Sequence, residues 1–180
     1  GSLMAVYDYY TGYTTLYGSL VGTGINATSN GEGAAVSVTN GGDISSEGYY
    51  GATGIAATSG GLGGSASVTN SGNITVSQYN KYGYGAYGIV VSADGDASID
   101  NQAGASITVD SAGNANGAVA LSFAGDASVT NAGDITVTTD AFLSYGANGI
   151  VAFAGNGSAY AGNSGNIDVI TAIKWSCNIF

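Results

Sequence analysis

Apolar side chains alternate with Ser, Thr and Asn along much of this chain. Ala66 and Val68 lead on to Ile74 and Val76, and Ala127 and Val129 lead on to Ile135 and Val137. A period of two, carried by β-branched residues and broken by Gly and Asn, reads as short β-strands. Helical repeats call for Leu, Glu, Lys and Ala at 3.6-residue spacing, and that pattern does not occur. The alternation predicts that Val68, Ile74, Ile99, Ile107, Val129 and Ile135 point into a core.

The strand pattern recurs. Asn40, Asn70, Asn101, Asn131 and Asn163 follow one another at intervals of 30, 31, 30 and 32 residues. Each sits in a related segment: VSVTNGGDIS, ASVTNSGNITV, ASIDNQAGASITV, ASVTNAGDITV and AYAGNSGNIDV. A second shared element lies upstream: GINAT at Gly24, GIAAT at Gly54, GIVVS at Gly88, GAVALS at Gly117 and GIVAF at Gly149. Self-similarity at such a period is the mark of stacked repeats. Each unit supplies one strand after the Gly-Ile, one through Ala-Ser-Val-Thr and one at Ile-Thr-Val. The expected fold is all-β, a single parallel β-helix of about five three-strand coils. Residues 24–169 form the helix, 1–23 a Tyr-rich partial coil or cap, and 170–180 a non-repeat tail.

The five Asn fall at a bend after the second strand. Asn tolerates a left-handed backbone there, and its amide can bond the Asn above and below. They are therefore read as a structural ladder and not as a binding site. The Gly that follows each (Gly42, Gly72, Gly104, Gly133, Gly165) is expected to relieve φ at the same corner.

Composition narrows the function classes. With 32 Gly but no Pro, and 44% hydrophobic residues, the chain is not of a disordered type. Twelve Asp and Glu against Lys81 and Lys174 give a net charge of −10. That field repels phosphate backbones and anionic membranes, so no nucleic-acid partner is expected. Cys177 stands alone and His is absent, which leaves neither an internal disulfide nor a Cys/His zinc site. No apolar run reaches the roughly 18 residues of a span, so no direct membrane insertion is expected. Gly1 and Ser2 read as an expression scar, which makes the chain an excised fragment whose export signal or anchor lies elsewhere.

The recurring SVTNxGxITV with its upstream GIxA resembles the repeats of autotransporter passenger domains and related large secreted adhesins of Gram-negative bacteria. The resemblance covers about four-fifths of the chain and implies a right-handed parallel β-helix. It also implies export across the outer membrane, with display on the cell surface or release. No β-barrel translocator is present, and IKWSCNIF departs from the repeat. Phe180 matches the aromatic terminus of outer-membrane barrels only by coincidence.

Tyrosines crowd one structural position, the segment between each Ile-Thr-Val strand and the next Gly-Ile. Tyr49 and Tyr50 lie there, as do Tyr79, Tyr82, Tyr84, Tyr87 and Tyr145, while Tyr7, Tyr9, Tyr10, Tyr13 and Tyr17 precede the first coil. Insertions at one position of a solenoid map to one face, so these aromatics should line one edge. They either cover the end of the core with phenol tips in water, or form a ridge for recognition of a surface glycan or protein. Lys81 would add a partner for an acidic sugar, and the glycines of YGYGAYG would leave the backbone adaptable. Coil ends offer a further route, self-association.

Catalytic residue types are scarce. Lyases of this shape use Arg or Lys as base beside calcium, and the chain has no Arg. Hydrolysis needs two carboxylates about 5 to 10 Å apart. Asp94, Asp96 and Asp126 are the candidates, with Asp96 and Asp126 in matching GDAS segments on successive coils. No cofactor is expected apart from calcium at these three aspartates. Outward Ser37/Thr39, Ser67/Thr69, Ser98/Asp100 and Ser128/Thr130 form a hydroxyl array like the flat faces of ice-binding solenoids. The expected role is a non-enzymatic stalk or binding module of an adhesin, secreted or displayed at the outer membrane. The alternatives are a carbohydrate-active enzyme and an ice-binding solenoid.

Overall fold

A computed structural model of the chain describes residues 14–16, 21–140 and 146–172. All regular structure among them is β-strand, arranged as three parallel sheets. Sheet A contains β1 (Thr14–Leu16), β4 (Ile44–Gly48), β7 (Asn73–Gln78), β10 (Ser106–Ser111), β13 (Asp134–Asp140) and β16 (Ile167–Ala172). Sheet B contains β2 (Val21–Ser29), β5 (Gly51–Ser59), β8 (Gly85–Ala93), β11 (Ala115–Ser122) and β14 (Ala147–Ala154). Sheet C contains β3 (Ala35–Asn40), β6 (Ser65–Asn70), β9 (Ala97–Asn101), β12 (Ala127–Asn131) and β15 (Ala159–Asn163). The chain visits B, C and A in turn, so the fold is a β-solenoid of about five coils, as the repeat predicts.

Equivalent residues of successive repeats pair directly. Ile44, Ile74, Ile107, Ile135 and Ile167 form one column of sheet A. Val38, Val68, Ile99, Val129 and Ala161 form one column of sheet C. The residues expected to point inward (Val68, Ile74, Ile99, Ile107, Val129, Ile135) are each at most 1% exposed. Burying one such side chain contributes about 1.5 to 3 kcal/mol. The core is thus a stack of apolar columns.

The Gly of each Gly-Ile element has a packing cause. A Cβ on Gly117 would sit 2.5 Å from Ile135 Cγ2 in sheet A and 2.5 Å from the Gly149 carbonyl oxygen of the next coil. Gly24, Gly54, Gly88 and Gly149 meet the sheet A isoleucine of their own coil in the same way. Sheet B lacks a side chain there so that the isoleucine column can press against its backbone.

The Asn corner carries the expected ladder on a backbone different from the one expected. Asn40, Asn70, Asn101 and Asn131 are buried, and each donates its Nδ2 to the Oδ1 of the next Asn at 2.6–2.8 Å, ending at the exposed Asn163. In four coils the same Nδ2 also donates to the carbonyl two residues on, at Gly42, Gly72, Gly133 and Gly165. No non-Gly residue has positive φ among the described residues, so these Asn are not left-handed. Of the five corner glycines only Gly104 has positive φ, at 84°. Gly72, Gly133 and Gly165 are instead excluded from bearing a Cβ by carbonyls of the coil beneath. Close stacking selects Gly in these three coils, and φ selects it at Gly104.

Candidate functional site

The segments joining sheet A to sheet B differ in length and aromatic content. Between β4 and β5 lie Tyr49 and Tyr50, and between β7 and β8 lie residues 79–84 with three further tyrosines. Between β10 and β11 the linker is Ala112, Gly113 and Asn114, with no aromatic. Tyr49, Tyr50, Tyr79, Tyr82 and Tyr84 are 40–78% exposed, with Tyr84 at the top of that range.

Stacking brings the first two linkers together. Tyr79 N donates to Gly48 O at 3.3 Å, Asn80 N to Tyr49 O at 3.0 Å and Tyr84 N to Tyr50 O at 2.5 Å. Both ends of the longer linker are thereby tied to the shorter one. Between them the chain turns, with Gly83 N donating to Asn80 O at 2.8 Å and Tyr82 N to Asn80 Oδ1 at 2.9 Å. Gln78 braces the loop from inside. Its buried Nε2 donates to Tyr49 O at 3.0 Å and to Asn80 O, while Oε1 accepts from Ser111 Oγ at 2.8 Å.

The glycines of the loop are not a source of adaptability. Gly85 holds φ at +94°, with the space of a Cβ 2.7 Å from Asn114 O, and Gly83 lies against Tyr50 O and the Gln78 amide. They let a constrained loop pass close to its neighbours. On the surface, the Tyr49 and Tyr50 rings meet edge to face with centroids 5.0 Å apart, and Lys81 Nζ stands 5.1 Å from the Tyr82 ring centroid. Both arrangements suit the ring quadrupole. Tyr87 lies apart, half-buried within β8 at the register of Thr53 and Asn116. Tyr145 and the five tyrosines before the first coil lie outside the described residues, as do Lys174, Cys177 and Phe180.

The three aspartates occupy the turns between sheets B and C. Asp94 Oδ2 accepts from Gly63 N at 2.7 Å, Asp96 Oδ1 from Asp126 N at 2.9 Å and Asp126 Oδ1 from Ser158 N at 2.7 Å. Each carboxylate is a staple between the backbones of adjacent coils. Among the described residues no group of three or more Asp, Glu, Cys or His side chains converges as a metal site would. The hydroxyl array occupies the outer face of sheet C, where Ser67 Oγ donates to Ser37 Oγ at 3.3 Å. Asp100 interrupts it, accepting from Thr130 Oγ1 at 3.2 Å, and Tyr160 ends it by lying against Gly162.

Two features escaped the sequence reading. Asp134, Thr136, Asn166 and Asp168 help line a cleft of about 280 Å³ on the last coils of sheet A, with Asn166 Nδ2 donating to Asp134 Oδ1 at 3.0 Å. Phe123 and Phe153 are 60% and 55% exposed at the far end of sheet B, away from the tyrosine corner.

The stacked coils with variable corner loops agree with a family comparison. The family profile described as the BigA third pectate lyase-like domain matches residues 11–178. This chain belongs to that family. The match takes in every coil and the tyrosine corner, so the domain is a pectate lyase-like β-helix as a whole. None of the curated proteins compared matches the chain, and no solved structure does.

Proposed function

We propose that this pectate lyase-like domain is a non-enzymatic binding module of a secreted or surface-displayed bacterial protein. It holds surface glycans or proteins through its tyrosine edge. The observation that carries the reading is the pair of linkers at the sheet A to sheet B corner. Five exposed tyrosines stand on a backbone tied from the neighbouring coil and braced from inside by Gln78. Tyr loses little side-chain entropy on binding and presents a broad amphipathic face, and a braced loop loses little more. The repeats resemble those of autotransporter passengers, which supports display at a Gram-negative outer membrane. Tyr82 and Tyr84, the most exposed of the five, can be replaced without touching the core. On a glycan array or in a cell-binding assay, Tyr82→Ala/Tyr84→Ala should bind at least about tenfold more weakly, as hot-spot contacts imply. Unchanged binding by the folded double variant would return the tyrosines to covering the edge of the core.

A second reading, a carbohydrate-active enzyme, is favoured by the family's pectate lyase-like description and by the cleft holding Asp134 and Asp168. Release of unsaturated products or reducing ends from a polysaccharide panel, lost in Asp134→Asn, would replace the binding-module reading with this one.

A further inference from the structure

Sheet A carries most of the charge on the three sheets, and sheet B carries none. Glu47, Asp110, Asp134, Asp140 and Asp168 lie in the strands of sheet A, with Asp43 just before β4, and Asp100 lies on sheet C. The five strands of sheet B contain no Asp, Glu or Lys at all. In a chain of net charge −10, the strands of one face are therefore neutral, with Asp94 in the bordering turn.

The same face becomes apolar along the stack. Its middle outward row runs Asn26, Ala56, Val90, Val119, Val151, and the adjoining row Thr28, Thr58, Ser92, Leu121, Phe153. The first coils present hydroxyls and an amide, and the last ones branched and aromatic groups. Phe123, in the turn after β11, adds a second exposed aromatic beside them. Depletion of charge with apolar and aromatic side chains at the centre is the composition of an interface core.

We propose that two copies of this chain associate face to face through sheet B, around Leu121, Val151 and Phe153, with Val119 already covered between them. Charge selects a second copy as the occupant. Two strongly acidic molecules repel wherever carboxylates face each other, and sheet B is the one sheet whose strands carry no carboxylate. Its size fits as well. Strands of 8–9 residues, five deep, cover about 650 Å² at ~3.3 Å per residue and ~4.8 Å per strand. Two such faces bury about 1,300 Å², within the range of stable specific interfaces. Sheet on sheet is also an ordinary packing for flat β faces. The contact is isologous and closes as a dimer, whereas association through coil ends would be head-to-tail and build open oligomers.

Sedimentation equilibrium on the 180-residue chain tests this. A monomer–dimer equilibrium is expected, tightening as salt rises from about 0.02 M to about 0.3 M because the overall repulsion is screened. Leu121→Asp/Val151→Asp places four carboxylates in the contact and should weaken it at least about a hundredfold. The charge-matched Ser98→Asp/Ser128→Asp on sheet C should leave it intact. Circular dichroism and melting temperature report whether each variant is folded. Should the first misfold, Leu121→Ser/Val151→Thr serves instead, with about tenfold weakening expected. A wild-type monomer at all concentrations, an open ladder of masses, a dimer indifferent to the sheet B substitutions, or equal loss in the sheet C control would each overturn the proposal. So would a monomer that binds uncharged lipid vesicles through this face.

Discussion

Gly117→Ala adds a single carbon, and the structure says where it goes. The new Cβ lands 2.5 Å from the Gly149 carbonyl oxygen and 2.5 Å from Ile135 Cγ2. Favourable contacts of this kind lie near 3.5 to 4.0 Å, so both are about 1 Å too short. Neither neighbour has room to retreat. Gly149 belongs to the hydrogen-bonded strand of the next coil, and Ile135 is 1% exposed within its column. Overpacking a filled core costs about 1 to 3 kcal/mol, and two simultaneous collisions place this case near the upper end, about 3 kcal/mol. For a domain of this length that corresponds to a melting temperature lower by about 6 to 12 °C. Gly104→Ala is the control. Gly104 has positive φ but nothing within 4 Å of its Cβ position, so Ala there meets backbone strain alone, about 1 to 2 kcal/mol. Thermal melts of the two variants beside the parent decide the matter. A Gly117→Ala melt within about 2 °C of the parent, or a greater loss for Gly104→Ala, would refute the claim that close packing selects this glycine.

Asn101→Ala removes a fully buried rung and takes one hydrogen bond each from Asn70 Nδ2 and Asn131 Oδ1, so a loss of about 2 to 4 kcal/mol is expected in urea unfolding. Asn163→Ala, at the exposed end of the ladder, should cost less than half as much. The Ser46 hydroxyl is buried without a partner in the valine column of sheet A, so Ser46→Ala should stabilise by about 1 kcal/mol in the same assay. Gln78→Ala should loosen residues 79–84 and show as faster proteolytic nicking between Tyr79 and Tyr84, with the rest of the domain protected. Val129→Asp puts an unpaired charge at a position 0% exposed, and a soluble variant melting within about 2 °C of wild type would show the inward register to be wrong.

The coil architecture was legible because five units repeat at near-constant length, and the strand columns follow once equal positions are stacked. The glycine at each Gly-Ile could be located in the sequence but not explained. Its cause lies in an isoleucine about 20 residues later in the same coil and a carbonyl in the next one, neither of which is a local signal. The same holds for Gly72, Gly133 and Gly165, since crowding by another coil leaves no trace in neighbouring residues, whereas Gly104 does relieve φ as its place at the bend suggests. Sheet B's apolar outer face was hidden by its composition. In GIVVSA, Val90 and Val91 are indistinguishable as letters, yet Val91 is buried and Val90 faces outward. The tyrosine corner was visible as a cluster, whereas its stiffness depends on Gln78, an unremarked residue at a strand end whose amide is aimed inward.

Because each sheet orders its strands strictly coil by coil, the domain is a spool as much as a rod. A pull on one chain end loads only the outermost coil, while the coils behind it remain intact. Releasing one coil of about 30 residues adds about 100 Å of extended chain and shortens the rod by only ~4.8 Å. Tension is therefore met by length in discrete steps, and the apolar columns behind the break stay covered by the coil that has become the new end. A molecule held at both ends in moving fluid gives way gradually, and it can rewind from the surviving coils when the force falls.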